Sequence, residues 1–357
     1  MSITQAKNLY AKAKSRKILV ILSVCIALLI AIVISVSLGA GSPGFFEAAN
    51  VVLSRLFPFL GIDPGSQITQ TIVLDLRLSR IVLAVVAGAG LAASGAAMQG
   101  VLRNPLVSPY ILGISSAAGF GAALAIGLGI GVVTQYSAYI VVANAFIFSI
   151  IAMLMVYGVA RVRGITPESV ILAGVAVGYL FSAMLSLIQF VAPEHVAVRA
   201  VVFWLLGGLS SATWESILMI LPIVLVATVL MMKKSWDINV MSLGEEVATS
   251  LGVNSRQVLV ICMALGTLAT ASIISFTGVI GFICLVSPHI ARMVIGSDHR
   301  FLLPCSLAMG ALLLLCSDTL ARLVLMPSEV PVGIVTSLMG VPFLLYLLLS
   351  KRRQMWH

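Results

Sequence analysis

The sequence predicts an all-α, polytopic membrane protein of about ten transmembrane helices, and three observations carry that expectation. First, 61% of the 357 residues are hydrophobic and only 9% are charged, against roughly 45–50% and about 25% in an average soluble domain. Second, the apolar residues run in unbroken stretches of about 20, the length a helix needs to cross a hydrocarbon core about 30 Å thick. An outer-membrane barrel would alternate apolar and polar residues instead. Third, the basic residues sort by side of the membrane once those stretches are taken as spans. A chain this apolar has too little polar surface to be a cytosolic enzyme, a disordered tail or a nucleic-acid-binding module.

The first apolar stretch, 18–38, follows a polar, basic segment at 1–17. It exceeds the core of a cleaved signal peptide, about 7–15 residues, so it reads as a retained first helix. The remaining spans are expected at 72–101, 109–131, 136–160, 169–191, 214–232, 258–275, a short one at 281–295, then 302–325 and 333–350. With the N-terminus cytoplasmic and strict alternation, sixteen of the 21 lysines and arginines fall in inner segments, Lys351, Arg352 and Arg353 among them. Arg55, Arg77, Arg80, Arg199 and Arg322 fall outside. The positive-inside rule therefore favours both termini in the cytoplasm. The net charge of +9 becomes a topology signal and needs no nucleic acid.

The outer arginines are then the exceptions. Arg77 and Arg80, three residues apart, share one helix face, and Asp318 precedes Arg322 by four, the spacing of a helical ion pair. Gly88, Gly90, Gly95 and Gly100 give the second span a surface for close helix packing. Two stretches break the pattern of plain spans: 99–119, with Asn-Pro, Ser-Pro and Ser-Ser, and 328–340, with Pro, Gly, Thr-Ser and Gly. Lying on opposite sides by the alternation, they suggest an inverted repeat.

The longest inner stretch, 241–254, is more than a tether. Gly244 and Gly252 bracket a segment that opens with Glu245 and Glu246, and acidic residues suit the first turn of a helix. Leu243, Val247 and Leu251 recur every four residues and form one apolar stripe. A headgroup-bound helix would carry basic residues, so a protein partner fits this one better.

Catalytic chemistry is missing. There is no G-x-x-x-x-G-K-[ST] phosphate loop and no H-E-x-x-H, and His195, His289, His299 and His357 are scattered with no plausible Ser/His/Asp set. The five cysteines lie in apolar stretches without metal-ligand spacing, so no metal site and no cofactor are expected. Ionisable groups are almost absent from span centres, whereas ion-driven carriers keep them there. The chain reads as a pathway whose energy comes from a partner.

Three segments resemble the permease subunits of binding-protein-dependent ABC importers for iron-siderophore, haem and cobalamin: LRLSRIVLAVVAGAGLAASGAAMQGVLRNPLVSPYILGISSAAGFG at 76–121, GVIGFICLVSPHIARMVIGSDHR at 278–300 and VPVGIVTSLMGVPFLLYLLL at 330–349. The resemblance covers nearly the whole chain and implies a single transmembrane permease domain, 1–357, of a type II ABC importer in the cytoplasmic membrane. It implies a homodimer, two cytoplasmic ATP-binding subunits and an extracytoplasmic substrate-binding protein. Arg77, Arg80 and Arg322 match arginines that receive acidic residues of the binding protein. The loop at about 235–256 matches the ATPase-coupling segment, with Leu243, Gly244, Glu245, Val247, Ala248, Leu251 and Gly252. Thr166, Pro167, Glu168 and Ser169 match the inner gate region, although Pro167 and Glu168 stand where the family has small hydroxyl residues. Ser79 stands where the family often has Pro, and Cys284 where Gly is common.

The expected substrate is a metal chelate, an iron-siderophore first, with cobalamin, haem and molybdate as alternatives. A secondary carrier, a membrane enzyme and an export permease are the rival classes.

Overall fold

The computed structural model describes residues 3–39, 43–131, 137–192 and 195–349. Lys351, Arg352, Arg353, His357 and position 136, where one expected span begins, lie outside them. The helices are α1 (Ile3–Ser37), α2 (Phe45–Leu56), α3 (Gln67–Val101), α4 (Ile114–Leu128), α5 (Ser137–Arg163), α6 (Pro167–Val191), α7 (His195–Leu206), α8 (Trp214–Lys233), α9 (Ser235–Met241), α10 (Glu245–Ser250), α11 (Ser255–Thr277), α12 (Ile283–Ile295), α13 (His299–Leu323) and α14 (Val332–Leu349).

Among the described residues, α1, α3, α5, α6, α8, α11 and α13 are long and apolar enough to cross a membrane, and α4, α7, α12 and α14 are shorter apolar helices. Every expected span has its helix in this set. The additional apolar helix, α7, escapes a search for spans because its apolar run is about half a span long. Two polar-edged helices, α2 and α9, also go beyond the expectation.

Local sequence explains where the helices start. Thr166 caps α6: its Oγ1 accepts from Ser169 N at 3.2 Å, Ser169 Oγ accepts from Thr166 N at 3.0 Å, and Pro167 fills the first turn. Thr213 and Ser216 form the same reciprocal box at α8. Asn254 caps α11 through Gln257 N at 3.0 Å. Each arrangement satisfies amides that have no partner within the helix.

Helices α3, α11 and α13 form the buried centre, while α1 turns Leu19, Leu22, Ile26 and Leu29 outward as a lipid-facing helix does. The glycines of α3 each admit a different neighbour. A Cβ at Gly88 would meet the Gly310 carbonyl of α13, and one at Gly95 the Cys284 carbonyl of α12. One at Gly90 would meet Val224 of α8 and Ile273 of α11. Without a strong hydrophobic drive between helices in lipid, such backbone-to-backbone approach supplies the packing.

The packing repeats. Helices α3–α6 correspond in order and relative length to α11–α14, and α4 and α12 are the short members, with 15 and 13 residues. Helix α3 packs on α13 as α11 packs on α5; α4 packs on α5 and α6 as α12 packs on α13 and α14. This corrects the pairing suggested by composition. The counterpart of the break before α4 is the break before α12, at 278–282, whereas 328–340 holds the end of the α13–α14 connection and the first turns of α14, and that connection corresponds to the short 164–166 turn. The left-handed residue that launches each short helix is Gly113 (φ 76°) in one half and Phe282 (φ 66°) in the other. Because phenylalanine rather than glycine holds the second position, the sequence hides the correspondence. The two breaks meet: Tyr110 Oη donates to Ile280 O at 2.7 Å.

Candidate docking, coupling and gate sites

Arg77, Arg80 and Arg322 come together at the N-terminal side of α3, where α13 ends. They are not free surface charges: they are 5%, 8% and 9% exposed. Asp318, fully buried, is the hub. Arg80 Nε lies 2.8 Å from Asp318 Oδ1 and Nη2 lies 2.8 Å from the same atom, while Arg322 Nε approaches Oδ2 at 3.2 Å. The expected i,i+4 pair is thus one side of a larger cluster. Arg80 also donates to Glu329 Oε2 at 2.7 Å, and Glu329 is half-exposed. Arg322 donates to Ser35 Oγ (2.7 Å) and Leu38 O (3.1 Å), and Arg77 to Val36 O (3.0 Å) and Pro43 O (3.2 Å). The arginines therefore fasten the end of α1 to α3 and α13. Buried guanidinium and carboxylate groups carry a desolvation cost that only this degree of pairing offsets.

Sequence spacing alone missed Glu329 and Ser35, since both reach the cluster through the fold. It also missed a cavity of about 250 Å³ beside Arg80 and Glu329, lined further by Trp204, Ser210, Thr277 and Gly278. Its wall is the end of α7. A Cβ at Gly207 would meet the Val279 carbonyl, and one at Gly278 the Trp204 carbonyl. Gly208 N donates to Thr277 O at 2.8 Å. Helix α7 is thereby seated directly on the second break.

The coupling segment lies at the other end of α3, where Gly100 faces Ile238 of α9. The twenty residues from Arg80 to Gly100 separate the ends by about 30 Å at the helical rise. Helix α10 forms as expected. Gly244 (φ 114°) and Gly252 (φ 78°) bound it in backbone conformations that favour glycine, with open space where a Cβ would stand. Ala248 is its one buried residue, while Leu243 (65%), Val247 (42%) and Leu251 (62%) are exposed. The apolar stripe therefore faces away from the bundle. Glu245 lines a crevice with Arg103, Ile165, Pro167 and Arg256, which places the 164–169 turn next to the coupling segment. In that turn Thr166 and Ser169 are engaged in capping α6 and Glu168 is exposed in its first turn.

Asn239 of α9 joins this end to α13. Its Nδ2 donates to Asp298 Oδ1 at 2.7 Å, and its Oδ1 accepts from His299 N at 2.8 Å and lies 2.9 Å from His299 Nδ1. Asp298 caps α13 and pairs with Arg300. Partial burial pushes the Asp298 carboxyl up, but hydrogen bonds from Arg300 and Asn239 outweigh it and hold the group at about 2.

Comparison with known proteins agrees with this architecture. Residues 27–350 match the FecCD transport family. The Fe(3+)-citrate import system permease protein YfmE of Bacillus subtilis is 35% identical over 96% of this chain and 98% of its own length. The hemin transport system permease protein HmuU of Yersinia pestis is 38% identical over 79% of this chain and 84% of its own. A solved structure of a metal-chelate type ABC transporter in an inward-facing conformation superposes with a TM-score of 0.80 at 31% identity, covering 93% of this chain and 98% of that one. A multi-pass bundle with breaks that meet in its interior, and a match along nearly its whole length, make this chain a member of the FecCD transport family of ABC transporter permeases, a transport component rather than an enzyme.

Proposed function

We propose that the chain is the membrane-spanning subunit of an ATP-driven importer that moves a metal chelate, a ferric siderophore first, across the cytoplasmic membrane with both termini inside. It works as a homodimer with two cytoplasmic ATPase subunits and an extracytoplasmic binding protein. The observation that carries this reading is the α10 stripe. Leu243, Val247 and Leu251 are exposed beside Glu245 and Glu246 on a helix fixed to the bundle by Ala248, about 30 Å from the arginine cluster. A bundle with an apolar docking helix at one end and a charged cavity at the other suits partners on two sides.

At the charged end, Arg77, Arg80 and Arg322 serve the binding protein through the cluster they build. Glu329 holds Arg80 as an incoming carboxylate would, so docking exchanges one acidic partner for another. Such complementarity sets register and encounter more than raw affinity. At the α10 end, the 166–169 turn beside Glu245 supports an inner gate moved by the ATPases. The names of the citrate and hemin permeases support an iron chelate as cargo.

The test is reconstitution of the chain with its ATPase and binding-protein partners in vesicles, offering ferric citrate, haem, cyanocobalamin and molybdate. Uptake that requires ATP and the binding protein supports the proposal. Uptake by the chain alone, driven by an ion gradient without ATP, rejects it in favour of a secondary carrier.

A further inference from the structure

We propose that Asn239 is a positioning residue that delivers movement of the coupling segment into the α3–α13 pair. The inference rests on the importer reading above and adds the route by which force leaves α10.

Helix α10 is bound to α9 through the turn between them, where Leu243 N donates to Val240 O (3.1 Å) and Gly244 N to Met241 O (3.2 Å). Helix α9 in turn is held to the bundle by a polar contact with both faces of one amide engaged. The Asn239 side chain donates to the residue that caps α13 and accepts from that helix's first backbone amide. His299, buried, sits between this amide and Gly100 near the end of α3, where a Cβ would meet its Nε2 at 2.5 Å. Asn239 therefore grips the point at which α3 finishes and α13 begins.

From that point the two helices behave as one body. Gly88 and Gly310 bring their backbones into direct apposition, and Asp318 ties α13 to Arg80 of α3 at the far end. Close-packed interiors transmit displacement rather than absorb it. The chain link from α10 to α11 is tied as well, by Gly252 N to Thr249 O (3.0 Å) and Val253 N to Ala248 O (2.9 Å), but it leads into α11, whereas the α9 link leads through Asn239 to the start of α13. Movement of α10 thus reaches the arginine end through Asn239.

The experiment uses the full complex of permease, ATPase subunits and binding protein in vesicles, and reads the fold-stimulation of ATP hydrolysis by the binding protein. That stimulation requires a signal to pass between the two ends. Asn239→Ala and Asn239→Asp, the latter placing two carboxylates together, each lower stimulation at least fivefold. The ATPase subunits still co-purify in the wild-type ratio, because the α10 stripe is untouched. The exchange variant Asn239→Asp with Asp298→Asn reverses donor and acceptor, keeps the acceptor for His299 N, and restores stimulation to within twofold of wild type. A merely stabilising role is read separately from thermal unfolding of the same preparations. Stimulation that stays at the wild-type level in Asn239→Ala, or an exchange variant as defective as Asn239→Asp, overturns the proposal. A wild-type complex that shows no stimulation overturns the importer reading on which it rests, so the two failures are distinguishable.

Discussion

The Tyr110 hydroxyl donates to the Ile280 carbonyl across 2.7 Å, and these residues belong to the two interruptions of α-helix that precede α4 and α12, Tyr110 within a short 3-10 turn. An unwound backbone at membrane depth is tolerated only where protein or water satisfies its polar groups. Here each break helps satisfy the other. The nearby approach of Gly95 to the Cys284 carbonyl closes the same region from the side of α3. The two halves of the fold are joined where each is least regular.

Replacing Tyr110 with Phe keeps the ring and removes the donor. The Ile280 carbonyl then loses this partner, a change that costs about 1–3 kcal/mol for a buried polar group. The expected outcome is a lower unfolding temperature in detergent with no change in oligomeric state. An unchanged melting temperature would show that the bond does not hold the breaks together.

Asp318 and Glu329 share Arg80 but differ in burial, and that difference sets their weight. Asp318→Ala leaves two buried guanidinium groups without their carboxylate, a loss of about 3–5 kcal/mol. Glu329→Gln removes a half-exposed partner and costs at most about 1 kcal/mol. Thermal melts should separate the two variants in that order. Arg77→Glu with Arg322→Glu, the direct test of binding-protein docking, places carboxylates in the same buried cluster, so docking should be lost together with stability. Glu329→Gln is the cleaner probe, because it removes the competing carboxylate charge beside Arg80 while leaving the Asp318 hub intact, and binding-protein affinity should rise.

The Asp298 carboxyl is held at about 2, against 3.8 for a free aspartate. A group whose folded value is depressed stabilises the fold above its unfolded value and loses that contribution as pH falls through the folded one. Resistance to denaturant should therefore decline between about pH 4 and pH 2 by more in the wild type than in Asp298→Asn. A parallel decline in both would assign the acid sensitivity to other groups.

Much of this architecture is legible in the sequence because lipid imposes simple constraints. Span length and the Leu243–Val247–Leu251 stripe follow from hydrocarbon thickness and helical period, and the corresponding helices form. What sequence hides depends on the third dimension. The reach of Glu329 and Ser35 into the arginine cluster joins residues far apart in the chain. The half-span α7 falls below any length criterion. The repeat is masked because Phe282 occupies the left-handed position that Gly113 fills in the other half. Arg77, Arg80 and Arg322 are legible as a group, but spacing could not reveal that Arg80 and Arg322 turn inward to Asp318 while Arg77 turns to the Val36 and Pro43 carbonyls.

The α10 stripe offers the sharpest separation of fold from function. Leu243 and Leu251 are more than half exposed and touch little of their own chain, so charge at either position should change stability by less than about 0.5 kcal/mol. Burying a leucine side chain at an interface contributes about 1.5–3 kcal/mol, and every 1.4 kcal/mol is tenfold in affinity. Leu243→Asp and Leu251→Asp should each weaken binding of the ATPase subunits roughly tenfold to a hundredfold, measured by titrating purified ATPase onto the permease in detergent. Ala248 faces the opposite way and is fully buried, so Ala248→Asp should lower the unfolding temperature instead. If the leucine variants bind as tightly as wild type while Ala248→Asp remains folded, α10 is not the docking helix, and the partner must meet the bundle elsewhere on that end.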